Sequence, residues 1–265
     1  MKARKTIFLI CGCALLALFV LMGFFPSLFT SYGRKEMFSA WEQPSHEHIF
    51  GTNDMGYDIF TEIVYGARET LFTGVLSSVI ALILGAAIGV LAAKKNFVGK
   101  IFNGVINIFV LLPKFVCLIV LAVFVGNGYV ARVGIIAAFG WVSTARAVRA
   151  QTIKIRNSDF IETLVIQGYD KFHIAIFHVL PNLGEVLPAR YLSGVSGCIM
   201  MESSLSFLGI GDLFNPTWGT MVNLAFRRGA FLQGAYNWLL IPGACIALLV
   251  LAFYLISVGV KKNEY

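Results

Sequence analysis

Few residues in this chain are spaced for bond-making chemistry. His46-Glu47-His48 offers a His-x-His pair, but no third metal ligand stands at a fixed distance, so a solvated loop is the better reading. The five cysteines (Cys11, Cys13, Cys117, Cys198, Cys245) lie in or beside apolar runs and match neither a zinc site nor a disulfide framework. No Ser–His pair, paired catalytic carboxylates or His-Glu-x-x-His run points to a membrane enzyme. No Gly-x-x-x-x-Gly-Lys-Ser/Thr loop is present, so the chain does not hydrolyse ATP through such a loop. What remains is Lys114 and Glu202, each set in apolar sequence. In a bilayer each needs a partner or access to water, because a buried charge there costs about 3 kcal/mol or more. Lys114 could also snorkel to the surface, and Glu202, followed by Ser203, Ser204 and Ser206, could be a structural joint.

A bilayer is the right setting. Of 265 residues, 58% are hydrophobic and 13% charged, with mean hydropathy +0.79. Soluble domains run at roughly 45–50% and 25%, and a chain this size could not hide the excess in a core. The composition also excludes disorder. Six runs approach the roughly 20 apolar residues that cross a membrane: about 7–30, 71–93, 101–125, 130–145, 183–210 and 238–260. The first, behind Lys2, Arg4 and Lys5, reads as an uncleaved helix rather than a signal peptide, being longer than a signal core. Gly85, Gly89, Gly194 and Gly197 suit close helix packing.

The Lys and Arg distribution sets the orientation. With a cytoplasmic N-terminus, the inside segments hold Lys2, Arg4, Lys5, Lys94, Lys95, Lys100, Arg146, Arg149, Lys154, Arg156, Lys171, Lys261 and Lys262. The outside segments hold Arg34, Lys35, Arg68, Arg132, Arg227 and Arg228. Thirteen against six puts both termini in the cytoplasm of a multi-pass plasma-membrane protein. The net charge of +7 is mostly this bias and gives no case for nucleic acid. The expected layout is a first transmembrane helix (1–30), an extracytoplasmic segment (31–70), a five-helix core (71–260) with a cytoplasmic region at 146–182, and a cytoplasmic tail (261–265).

Region 146–182 is too patterned to be a tether. After its basic entry, Asn157 or Ser158 can cap a helix beginning near Asp159, with Glu162 favoured by the helix's positive end. Gly168 should end that helix, and a second should run from Tyr169 or Asp170 to His178 before Leu180-Pro181 stops it. Either a rigid cytoplasmic knob or an amphipathic hairpin on the membrane surface fits this pattern.

The stretch Glu162…Gly168…His178-Val179-Leu180-Pro181-Asn182 resembles the cytoplasmic Glu-Ala-Ala…Gly…Leu-Pro motif of bacterial ABC importer permeases. Its ending is similar to that of the oligopeptide/dipeptide/nickel branch. Phe50 through Phe60, Tyr65-Gly66-Ala67-Arg68, Glu202 through Gly211, and Pro216-Thr217-Trp218-Gly219 resemble the second permease of that branch, in order. The resemblance covers about 48–259. It implies an all-α type I importer permease with six transmembrane helices and a cytoplasmic coupling elbow. Its partners would be a homologous second permease, two cytosolic ATPases, an extracytoplasmic substrate-binding protein and the bilayer. ATP and Mg would bind the ATPases, and this chain would carry no cofactor. Substrate would be short peptides, or nickel or another metal in a chelate, with a slight lean to metal from the short chain.

By resemblance, Glu162, Thr163, Leu164, Gly168 and Asp170 would form the ATPase joint. His178, Leu180, Pro181 and Asn182 would set how the joint meets the fifth helix. Lys114, Glu202, Ser203 and Ser206 would line the translocation path or the interface between permeases. Thr163 and Leu164 stand where the family usually has alanines, so the ATPase groove is expected to accommodate them. Tyr57 replaces a common Arg, and the last helix ends Ser257-Val258-Gly259-Val260 instead of Gly-Asp-x-Leu-Arg. The competing class is a stand-alone channel or secondary transporter, which would need its own coupling-ion site and usually internal repeats; neither is visible.

Overall fold

The computed structural model describes residues 2–126, 128–184 and 186–260; the side chains of 2–4, 165, 171, 172, 175, 176 and 180 are outside that description. The expected tail 261–265 also lies outside the described residues. Among them the architecture is helical, with only two isolated bridges, Met37–Tyr57 and Thr52–Asp58.

Among the described residues three helices are long and apolar enough to cross a membrane: α1 (Lys2–Phe24, qualifying over Lys5–Phe24), α2 (Ile59–Ala92) and α11 (Tyr236–Val260). The expected third span is broken. Its helices α3 (Phe97–Leu111) and α4 (Lys114–Val125) meet at a 92° bend, and a fourth crossing results only if the pair counts as one span. The physical cause is Pro113. Its ring forces Leu112 out of the helical region to ψ 135°, and Pro113 has no N–H to continue the ladder. Apolar residues on both sides conceal the break from a hydropathy reading. Helices α5 (Tyr129–Arg156) and α9 (Leu187–Phe207) are long enough but too polar to qualify on composition, α5 through its arginines and lysine and α9 through Arg190, Glu202 and its serines.

Two helices outrun their apolar segments. The 34-residue α2 begins at Ile59 instead of near 71, capped by Asp58, whose carboxylate accepts from the Thr61 N–H at 2.7 Å. At about 1.5 Å per residue it is roughly 51 Å long, well beyond a hydrocarbon core of about 30 Å. Its first three turns therefore belong to the folded segment in front of it. Likewise α5 runs on to Arg156, taking Arg146, Arg149, Lys154 and Arg156 out of the expected loop and onto a continuous rod.

Close contacts fix the direction of each helix. Gly12 of α1 packs on Ala252 and Ile256 of α11, and Gly259 on Lys5 and Leu9, so α1 and α11 are antiparallel with Lys5 and Gly259 at one end. Gly85 lies on Trp141 and Thr144, and Gly89 on Ala145 and Val148, so α2 and α5 run in parallel. Ser78 donates to the Tyr191 carbonyl, while Gly74 packs on Ile199, making α9 antiparallel to α2. The described ends of the chain therefore share one end of the bundle with Ala92, Arg156, residues 157–184 and the start of α9. Residues 25–58, the end of α9 and α10 (Trp218–Arg227) occupy the other.

The segment before α2 is a folded cap rather than a solvated loop. Thr52 is buried, donating to the Ser39 carbonyl at 2.7 Å and accepting the Glu42 N–H at 2.8 Å. The Asn53 side-chain oxygen accepts the Met55 and Tyr57 N–H groups, and its amide donates to Glu62 at 2.9 Å. Gly56 has φ +80°, and a Cβ there would run into the Phe38 carbonyl, so the turn needs glycine. Arg228 reaches Asp54 at 2.6 Å and Arg34 reaches Asn215 at 3.1 Å, tying the cap to the α10 region.

Candidate functional site: a helical elbow and a buried carboxylate joint

The elbow grows directly from α5. Helix α6 (Asp159–Ile166) follows after two residues. Ser158 Oγ donates to the Ile155 carbonyl at 2.7 Å while its own carbonyl accepts from the Ile161 and Glu162 N–H groups, so its backbone opens the helix. Gly168 ends the turn at φ +85°, and the Tyr169 N–H returns to the Leu164 carbonyl at 3.1 Å, the six-to-one bond of a Schellman stop. The chain then reverses through α7 (Lys171–Ile174), a π-helical turn (Ala175–Val179) and α8 (Leu180–Leu183). Leu180-Pro181 does not stop the second arm as expected: proline is tolerated in a first helical turn, where its missing N–H has no role, and α8 begins there.

The elbow has its own small core. Ile161, Leu164, Ile174 and Val179 are buried together, with Ile155 of α5 against them. This relocates Leu164: at 8% exposure it packs inside the elbow, so its bulk is absorbed within the chain instead of needing room in a partner's groove. Glu162, Thr163, Gln167, Gly168 and Asp170 are exposed, as is Ile166 at 80%. Thr163 Oγ1 donates to the Asp159 carbonyl at 2.9 Å. On the return arm His178 packs edge-on to Phe160, and the Asn182 amide donates to the His178 carbonyl at 2.6 Å. Pro181 is exposed; the Leu180 side chain lies outside the described residues.

At the opposite end Glu202 is completely buried inside the chain. Ser206 Oγ donates to it at 2.6 Å, Thr217 Oγ1 at 2.8 Å and Ser203 Oγ at 3.5 Å. Thr217 caps α10, so the carboxylate joins α9 to the start of α10. Gly219 makes the approach possible, since a Cβ there would lie 2.7 Å from Ser203 Cα. Next to it Trp218 is fully buried, donating from Nε1 to the Ile63 carbonyl at 2.8 Å. Its N–H reaches Thr70 Oγ1 at 3.2 Å, and Phe19 lies edge-on at 5.2 Å. Gly66 leaves room for the indole, whose Cδ1 sits 3.0 Å from where a Cβ would be. Three blocks distant in sequence, Tyr65–Arg68, Glu202–Gly211 and Pro216–Gly219, are thus one packed joint. In this arrangement Glu202, Ser203 and Ser206 face that joint and not an open surface.

Arg132 is the residue that sequence reasoning missed, having been counted only as an outside charge. It is 2% exposed in the first turn of α5, within Coulombic reach of Glu202 and Asp212, and its Nε and Nη1 have no hydrogen-bond partner among the described residues. Its position at the start of the apolar run 130–145 was the available signal. Burial would raise the Asp212 carboxyl, but the Phe214 N–H at 2.8 Å and both Asn215 donors outweigh it, with Arg132 adding to the effect. The group is held below its usual value. A depressed folded pKa stabilises above the unfolded value of about 3.9 and loses that contribution as pH falls through the folded one. Hydrogen-exchange protection factors in 212–215, corrected for the intrinsic pH dependence of exchange, should therefore be constant through neutral pH and fall only in that acid window.

Lys114 is exposed in the isolated chain and starts α4 at the bend, not mid-helix. His46 and His48 diverge: His46 is exposed, whereas His48 is 3% exposed with Nδ1 3.0 Å from Asp58. His48 therefore supports the residue that caps α2. Among the described residues no group of three His, Cys, Asp or Glu could hold a metal.

The family model for the binding-protein-dependent transport system inner membrane component matches residues 85–262, from the last turns of α2 through the elbow and past α11. The chain belongs to that family: it is a multi-pass plasma-membrane permease of an ABC importer. It falls in the branch whose members carry peptide-transport names. It is 31% identical over 264 residues to the dipeptide transport system permease protein DppC of Alkalihalophilus pseudofirmus, covering 98% of this chain and 86% of that one. It is 32% identical to DppC of Bacillus subtilis over 82% of this chain and 68% of that one. To the oligopeptide transport system permease protein OppC of the same organism it is 27% identical, over 94% and 82%.

Proposed function

We propose that this chain is one of two permease subunits of an importer for short peptides, with its elbow docked in a cytosolic ATPase. The observation that carries the reading is the elbow. It is a self-packed knob on the rigid end of α5, with Glu162, Thr163, Ile166 and Gly168 turned outward, at the end of the bundle where the described chain termini lie. The excess of lysine and arginine assigned to that end favours the cytoplasm. Six crossings follow, with α5 and α9 shielded by neighbouring helices and the second permease, and the bent α3–α4 pair completing the third.

Coupling needs a stiff lever and an interface with discrete arrangements that a ligand biases. ATP and Mg would bind the two ATPases. Their closure would drive the elbows together and rock the bundles, while an extracytoplasmic binding protein delivers substrate to the opposite end. The folded cap over α2, fastened by Arg228–Asp54 and Arg34–Asn215, is the surface this chain offers there. Peptides are favoured over nickel or a metal chelate because the relatives are named for dipeptides and oligopeptides and His48 is occupied by Asp58.

The test is reconstitution of both permeases, both ATPases and the binding protein in proteoliposomes. Uptake of labelled dipeptide that requires ATP on the elbow side supports the reading; ATP-independent uptake by this chain alone contradicts it. Lys114→Met should reduce uptake at least severalfold without loss of subunits on purification; unchanged uptake removes Lys114 from the path.

A further inference from the structure

We propose that the pocket between the ends of α2 and α5 binds the phosphate of an anionic phospholipid headgroup. A cavity of about 240 Å³ opens there, lined by Lys94, Lys95, Arg149, Ile153, Arg156 and Asn157 around the last residues of α2. Two of its cations are fixed by the fold. Arg149 Nε donates to the Ala92 carbonyl at 3.3 Å and Arg156 Nη1 to the Ala93 carbonyl at 2.9 Å, capping the end of α2. Each guanidinium keeps further N–H donors, and a planar fork of that kind suits a phosphate.

Among the described residues, four positive side chains line the cavity, no carboxylate does, and none of the four forms an ion pair. Two helix ends of about −0.5 charge each would offset only about one of the four. The pocket therefore has charge to spare for a monoanionic or dianionic phosphate. Its position names the source. The apolar run of α2 ends at Ala93, so Lys94 and Lys95 stand where a span meets headgroups, and Phe97, Val98 and Ile101 follow immediately, all exposed and apolar, as a surface for acyl chains. Basic pockets between membrane helices at the headgroup level are suited to anionic lipid.

The inference goes beyond the transport reading and depends on neither substrate nor coupling. The test uses the assembled transporter in detergent, titrated with phosphatidylglycerol, phosphatidylcholine or inorganic phosphate, with bound lipid read by native mass spectrometry and stability by melting temperature. Phosphatidylglycerol should bind and raise the melting temperature, and the other two should not. K94Q/K95Q should weaken its binding about thirtyfold, at about fivefold per cation, without changing the lipid-free melting temperature. If that variant does not fold, K95Q alone should show about a fivefold loss. Equal binding of phosphatidylcholine, full stabilisation by inorganic phosphate, or unchanged affinity in the variants would overturn the proposal. So would an absence of lipid because a partner subunit fills the pocket.

Discussion

Trp218→Ala should destabilise the chain by about 3–5 kcal/mol, the range for emptying a large buried site. The indole is fully buried among Phe19, Gly66 and Met221, and its loss would also remove the bond that its Nε1–H donates to the Ile63 carbonyl, tying α10 to α2. A hole on a single helix face can relax by local collapse, but this one sits where α1, α2 and α10 meet and the backbone is pinned by Thr70. Thermal unfolding of the detergent-purified protein checks it. A shift equivalent to less than about 1 kcal/mol would mean the joint is not the anchor of the outer end. Glu202→Gln should be milder, because the amide retains an acceptor for Ser206 and Thr217.

Gly168→Val should abolish coupled uptake while leaving the bundle folded. The left-handed conformation at φ +85° costs a non-glycine residue about 1–2 kcal/mol, and a β-branched side chain suffers most. A Cβ would meet no atom within 4 Å, so backbone strain alone does the damage. The return arm, held to α6 through Leu164, Ile174 and Val179, would lose its register. Gly168→Asn is the control, since asparagine tolerates this conformation. Copurified ATPase should vanish with valine and persist with asparagine at unchanged melting temperature. Equal retention in both variants would remove the turn from the coupling mechanism.

Much of this molecule was legible in the sequence, for identifiable reasons. Lipid makes apolar runs conspicuous, so α1, α11 and most of α2 declared themselves. Gly168 was readable because only a turn needs a glycine there. What escaped depends on the third dimension. Residues 59–70 carry Glu62, Arg68 and Glu69 and look like loop, yet they are helix because the cap of Thr52, Asn53 and Asp58 folds on them. The break at Pro113 hid between two apolar stretches. Leu164 looked like an outward misfit because the packing of the return arm onto α6 has no periodic signature. The motifs around Gly66, Glu202 and Trp218 were recognisable separately, but nothing in linear spacing says that they touch.

The most direct test of the elbow's role is cysteine crosslinking from Thr163, exposed at its outer face, in a chain whose five native cysteines have been replaced. In membranes with all subunits present, Thr163→Cys should crosslink to the ATPase, with a yield that changes on adding ATP, and should resist a membrane-impermeant thiol reagent applied to intact cells. Labelling of that cysteine from outside, with no crosslink to the ATPase in any nucleotide state, would contradict a motor-gripped elbow on the cytoplasmic side.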